Sequence, residues 1–175
     1  MRRYRLLIVP GGNFVEIGNG LSSGTIANIR NTVRTGLNYL GICAGAFVAG
    51  RFPKPYKSLD LTSGVQFRFY AAEGQGIRKT VVAITVPGGS TLDQYWEDGP
   101  QLTGWGATLA KYPDGTPAVV EGTFGAGWVL LTGIHPEAPD SWRRGMTFST
   151  PSSTDHAFAA TLIRAALDRT SLPRF

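Results

Sequence analysis

Cys43 stands in Tyr39-Leu40-Gly41-Ile42-Cys43-Ala44-Gly45-Ala46, where a short apolar run enters Gly-x-Cys-x-Gly and small residues follow. A strand that ends, turns sharply and passes into a helix reads this way, and such a turn lifts a nucleophile out of the sheet. The flanking glycines suit a crowded backbone, or dihedrals costly for a residue with a Cβ. A helix N-terminus beside the sulfur favours the thiolate. Free cysteine is also among the most buried residue types, so the turn alone leaves a reactive and a structural thiol equally open.

A cysteine nucleophile needs a base, and the base needs a group to orient it. Of the two histidines, His135 follows the apolar run Trp128-Val129-Leu130-Leu131-Thr132-Gly133-Ile134 and opens His135-Pro136-Glu137. In an extended segment residues i and i+2 face the same way. Glu137 can then hold one imidazole nitrogen while the other addresses a thiol. Singly, His135 reads as a strand-end residue and Glu137 as a solvated loop carboxylate; beside a glycine-flanked cysteine they form a set. His156 falls on the polar flank of the last helix and is expected at the surface. The chemistry also needs an oxyanion hole. The N–H of Ala44 and that of Gly12 are the natural donors, although Gly11-Gly12 also reads as a plain tight turn after Pro10. One cysteine and two histidines make a thin ligand set without metal spacing, so neither a metal nor another cofactor is expected.

These residues need elements to position them. Residues 4 to 9 read as a buried strand closed by Pro10-Gly11-Gly12, and residues 13 to 22 as a loop holding Gly18 and Gly20. A helix over 24 to 35 follows a Ser22 or Ser23 cap, with Ile26, Ile29 and Val33 on one stripe and Gly36 as its stop. Asn38 to Ile42 is the next strand, completing a βαβ unit with a right-handed crossover. In a parallel pair the two glycine turns share the carboxyl edge, where open α/β sheets bind ligands. A short helix is expected near 44 to 50. Strand candidates follow over 65–70, 80–86, 92–96, 107–112, 118–121 and 128–133, mostly paired antiparallel, the last returning to the main sheet. Residues 136 to 152 read as loop, and a helix over 154 to 168 closes the chain behind Ser152 or Ser153. Val9-Pro10-Gly11-Gly12 recurs as Val86-Pro87-Gly88-Gly89, too short a likeness to make a repeat. Asp93, Tyr95, Trp96, Glu97 and Asp98 form an acidic-aromatic cluster that reads as an alternating strand entering a turn, or as a cleft wall for amine-bearing ligands.

At 175 residues the chain is expected to be one domain, and 42% hydrophobic with 17% charged residues argues against disorder. A single cysteine excludes an internal disulfide framework and fits a reducing, cytoplasmic compartment. No apolar run approaches a membrane span, and the stretch after the basic Met1-Arg2-Arg3-Tyr4-Arg5 is too short for a signal-peptide core. The net charge of +5 comes from scattered lysines and arginines without a basic stripe. Neither nucleic acid nor membrane is therefore an expected partner; the basic surface serves solubility or attracts an anionic small molecule.

In this order, Val9-Pro10-Gly11-Gly12, Gly41-Ile42-Cys43-Ala44-Gly45 and His135-Pro136-Glu137 resemble the class I glutamine amidotransferase-like superfamily. Within it, Tyr39 to Gly45, Thr132 to Glu137, Gly122 and Trp128 are most similar to the N-terminal, amidotransferase-like domain of biotin-protein ligases. The resemblance spans roughly residues 5 to 170. It implies a flavodoxin-like three-layer sandwich with a mainly parallel central sheet and an antiparallel β extension, and a Cys43-His135-Glu137 triad. Three departures matter. Class I glutaminases usually carry glutamine four residues after the nucleophile, where this chain has Phe47. The family fold usually has a strand and helix before the Pro-Gly-Gly strand; here the sheet lacks that unit or the natural start lies upstream. The adenylate loop of the ligating domain is absent, so no biotin ligation is expected.

Three functions remain open. One is a cysteine hydrolase or amidotransferase-like enzyme acting on a small-molecule amide or peptide-like substrate. Another is a catalytically silent binding or regulatory domain that keeps the elbow as scaffold. The third is a redox-sensing thiol. A homodimer is compatible with each.

Overall fold

The computed structural model describes residues 4–175; Arg2 and Arg3, part of the basic flank weighed above, lie outside the described residues. Strand β1 (Leu6–Val9) opens the chain and leads into α1 (Phe14–Gly20). The expected loop over 13–22 is thus mostly helix. Asn13 caps it, its Oδ1 accepting from the N–H groups of Val15 at 3.0 Å and Glu16 at 3.3 Å. Gly18 is no breaker here: a Cβ at this position would lie 2.2 Å from the Lys57 carbonyl oxygen, so the glycine lets α1 press on that segment. Ser22 caps α2 (Ser23–Arg34) through the Thr25 N–H at 3.0 Å. Then come β2 (Asn38–Ile42) and α3 (Ala44–Ala49), both as expected.

The remainder runs β3 (Arg68–Phe69), α4 (Ala71–Gly74), β4 (Lys79–Thr85), β5 (Thr91–Glu97), β6 (Pro100–Gln101), β7 (Ala107–Lys111), β8 (Pro117–Phe124), β9 (Gly127–Thr132), α5 (Asp140–Arg143) and α6 (Ser152–Asp168). Only residues 68–69 of the expected strand at 65–70 pair, and α5 lies inside the expected loop. Pro151, not a serine, precedes the first turn of α6, without a side-chain cap.

A seven-stranded sheet carries the order β1-β2-β9-β8-β7-β4-β5, and β3 pairs with β6 in a small second sheet. Strands β1, β2 and β9 are parallel. The pairs β9–β8, β8–β7, β7–β4 and β4–β5 are antiparallel. The sheet is therefore mixed rather than mainly parallel, and the antiparallel strands continue it instead of forming a separate extension. Tight turns such as Asp114-Gly115 and Gly125-Ala126 suffice for antiparallel neighbours, whereas each parallel neighbour needs a crossover.

Strand β2 is buried along its whole length, as expected of a parallel strand covered on both faces. Leu40 and Ile42 pack with Leu162, Ala165 and Ala166 of α6. Tyr39, on the alternate face, packs with Ile29 and Val33 of α2 and with Phe47 and Val48 of α3. Helices thus cover both faces at the parallel end of the sheet. Among the described residues no helix is long and apolar enough to cross a membrane.

Candidate active site

Because β1, β2 and β9 run parallel, their C-terminal ends meet at one edge. Gly11 and Gly12 follow the first, Cys43 the second and His135 the third. Cys43 sits between β2 and α3 at φ 49° and ψ −103°. A non-glycine residue held there costs on the order of 1–3 kcal/mol. The strained dihedral thus falls on the cysteine itself, and its glycines serve close approach. A Cβ on Gly41 would lie 2.6 Å from the Gly45 carbonyl oxygen, and one on Gly45 only 2.0 Å from that of Val9. The Cys43 N–H donates to the Thr132 carbonyl at 2.8 Å, tying the elbow to the end of β9. Ala44, fully buried, begins α3, and the first N–H groups of a helix have no intrahelical acceptor.

His135 is pinned from two sides. Its backbone N–H donates to the Tyr95 carbonyl at 2.9 Å, and its Nδ1 lies 2.9 Å from Glu137 Oε1. That contact forms in a turn, closed by the Ala138 N–H on the His135 carbonyl at 3.1 Å, rather than along the extended strand expected. Gly11 makes room for the ring: a Cβ there would stand 2.5 Å from His135 Cε1. Tyr95 and Trp142 flank the imidazole edge-on, with ring centroids 5.8 and 5.7 Å away. Burial alone disfavours the charged ring. The neighbouring Cys43 and Glu137 side chains outweigh burial and carry the His135 pKa up to about 9.

Cys43 and His135 are each only 5% exposed, yet both line one cavity of about 590 Å³. Gly11, Gly12, Asn13, Phe14, Phe47, Phe69, Glu97, Asp98 and Trp142 complete its lining. The Cys43 Sγ lies 3.4 Å from the Glu97 carbonyl oxygen, to which a thiol donates. Glu137 stands behind His135 with Oε2 buried and unpartnered. His156 is exposed on α6, as expected. A second cavity, of about 480 Å³, runs along α2 past Arg30, Arg34, Arg51 and Lys57 and holds neither Cys43 nor His135. Among the described residues no cluster of histidine, cysteine and carboxylate could hold a metal ion.

The sequence reading does not find Phe14, Phe69 or Trp142. They reach the cavity from α1, β3 and α5; α1 and α5 fall in expected loops, β3 is part of the strand expected over 65–70, and no local pattern marks the three side chains as cavity walls. Trp142 is held there by a neighbour: Arg143 is buried in an ion pair with Asp155, and Arg143 Nη2 donates to the Thr150 carbonyl at 3.1 Å. Gln94 Nε2 donates to the same Asp155 at 2.7 Å, linking α5 and α6 to β5.

Residues 1–80 match the family described as biotin-protein ligase, N terminal. That stretch contains Gly11, Gly12, Cys43 and Ala44 and stops short of His135 and Glu137. No curated protein matches the chain. Among solved structures, one described as a glutamine amidotransferase is 23% identical, with a TM-score of 0.61, over 76% of this chain and 71% of its own. The exo-β-1,4-mannosidase Op5Man5 from Opitutaceae bacterium strain TAV5 is 17% identical (TM-score 0.55) over 95% of this chain. A β-galactosidase from Rahnella sp. R3 is 18% identical (TM-score 0.55) over 98% of it. This chain spans only 26% and 23% of those two glycosidases. At these identities the likeness concerns the fold alone. The family match and the fold together support the resemblance to class I glutamine amidotransferase-like proteins and their biotin-protein ligase N-terminal branch.

Proposed function

We propose that this amidotransferase-like chain is a cysteine amidohydrolase in which Cys43 attacks the carbonyl of a small-molecule amide or peptide-like substrate. His135, protonated at neutral pH, holds the proton drawn from Cys43 and gives it to the leaving amine; a water then cleaves the thioester, its proton passing to His135 as the sulfur is released, while Glu137 orients the ring and balances its charge. The N–H groups of Gly12 and Ala44 receive the oxyanion, and Gly11 keeps the ring's place open. The observation that carries this reading is a strained elbow cysteine sharing one cavity with a histidine whose far nitrogen is held by a carboxylate. Phe47 in the glutaminase position argues for a substrate other than free glutamine. Helices on both faces of the sheet support reading the fold as a flavodoxin-like three-layer sandwich. On this reading residues 1–175 act as one cytoplasmic domain, alone or as a homodimer. It takes no metal or cofactor and binds neither nucleic acid nor membrane.

Thiol alkylation tests the relay. Cys43 should react with iodoacetamide at neutral pH faster than free cysteine, and His135→Ala should remove roughly 100-fold or more from amide turnover, the usual share of a general base. A Cys43 no more reactive than free cysteine in the folded chain, unchanged by His135→Ala, would defeat it.

A second reading, a binding or regulatory domain with a silent elbow, draws on the Sγ contact with the Glu97 carbonyl, which satisfies a protonated thiol. It expects Cys43→Ala to leave ligand binding and phenotype intact.

A further inference from the structure

We infer that the cavity at Cys43 selects a cationic substrate, an amide carrying an ammonium or guanidinium group; the inference rests on the reading of that cavity as a substrate site. The chain carries a net charge of +5, yet among the described residues no lysine or arginine lines this cavity. Its carboxylates are Glu97 and Asp98. The one cationic group in the lining, His135, is balanced by Glu137, whose Oε1 lies 2.9 Å from its Nδ1, so the two carboxylates set the sign.

The two carboxylates are placed close to the chemistry by the backbone. The Glu97 carbonyl oxygen lies 3.4 Å from Cys43 Sγ. Asp98, held at φ 44°, bends the chain there, and a Cβ on the next residue, Gly99, would lie 1.8 Å from the Gly133 carbonyl oxygen, so the bend is packed against the end of β9. Tyr95 Oη donates to Glu97 Oε2 at 2.5 Å, fixing that carboxylate while leaving its other oxygen for a ligand. Asp98 Oδ1 is buried and accepts no hydrogen bond; Arg78 Nη1 stands 3.6 Å from it in an ion pair shared with Glu73.

The aromatic walls point the same way. Phe69 and Trp142 are 36% and 46% exposed, and both line the cavity. Aromatic faces beside carboxylates attract a cation through the ring quadrupole as well as through charge. An anionic group would meet two carboxylates and no lysine or arginine. The acidic-aromatic segment at 93–98 is thus more than an alternating strand: its last two residues face the cavity while Trp96 is fully buried.

The test is titration calorimetry of the intact chain, and of Cys43→Ala, with three acetylated amides of similar size: N-acetyl-lysinamide, N-acetyl-norleucinamide and N-acetyl-glutamic acid α-amide. The lysine probe should bind about tenfold more tightly than the norleucine probe, with the acidic probe weakest. Glu97→Gln with Asp98→Asn should bring the three to within about twofold. Glu97→Gln alone changes an exposed side chain and should erode the preference even if the double variant folds poorly. Equal affinities, a reversed order, no binding at millimolar concentration, or a preference that survives both substitutions would overturn the inference. Mass spectrometry of the same mixtures reads acylation separately. Turnover without charge preference sinks the selectivity and spares the hydrolase; preference without turnover does the reverse.

Discussion

Val-Pro-Gly-Gly occurs twice, at Val9 to Gly12 and at Val86 to Gly89, and the two copies are constrained by different physics. The second closes the β4–β5 hairpin. Its glycines take φ 93° and 87°, and a Cβ on either would meet nothing within 4 Å. The Gly89 N–H donates back to the Val86 carbonyl at 3.0 Å. There glycine answers a local dihedral, and the turn serves only its own hairpin. The first copy ends a parallel strand. A Cβ on Gly11 would collide with the His135 ring at 2.5 Å, although the two residues are far apart in sequence. There glycine answers a tertiary contact. One tetrapeptide therefore serves as punctuation at one place and as a wall of the candidate site at another.

The contrast sharpens on what Gly11 makes room for. His135 has its pKa carried up to about 9, above the ordinary 6.5 of an unfolded histidine. The folded chain therefore holds this proton more tightly than the unfolded one. The contribution is whole below pH 6.5 and is lost as pH rises through about 9, where both forms are neutral. Urea unfolding should show a fall of about 3 kcal/mol across that window, and His135→Gln should remove most of it. A flat profile would mean that Cys43 and Glu137 do no more than offset the cost of burying the charged ring.

The turns themselves can be compared by one substitution in each. Gly11→Ala should cost about 2 kcal/mol through overpacking and should lower Cys43 reactivity by displacing the ring. Gly88→Ala should cost about 1 kcal/mol for its positive φ and leave reactivity untouched. Thermal melts and alkylation rates on the pair check both halves. Equal reactivity losses, or none in Gly11→Ala, would break the distinction between them.

That distinction also explains what could be read in advance. Strands β1, β2, β4, β5, β7, β8 and β9 and helices α2, α3 and α6 were legible because period and turn chemistry are local; β6 was not, since its Pro100 reads as part of a turn. So were Cys43, His135 and Glu137, whose glycine and proline neighbours mark strand ends. Helix α1 was not: Gly18 reads as a breaker until the Lys57 carbonyl is brought against it. The mixed sheet was not, because strand order depends on which edges meet. Phe14, Phe69 and Trp142 carry no local mark, since a cavity wall is made by distant segments. The expected extended His-Pro-Glu was right in its pairing and wrong in its backbone, which turns.

The central claim is most directly tested by intact-mass spectrometry of the whole chain during turnover of an amide or activated ester. The account predicts a single acyl adduct that maps to Cys43, is absent in Cys43→Ala, and builds up and clears more slowly in Glu137→Gln. A folded chain in which no such adduct forms, or in which the acyl group maps elsewhere, would contradict it.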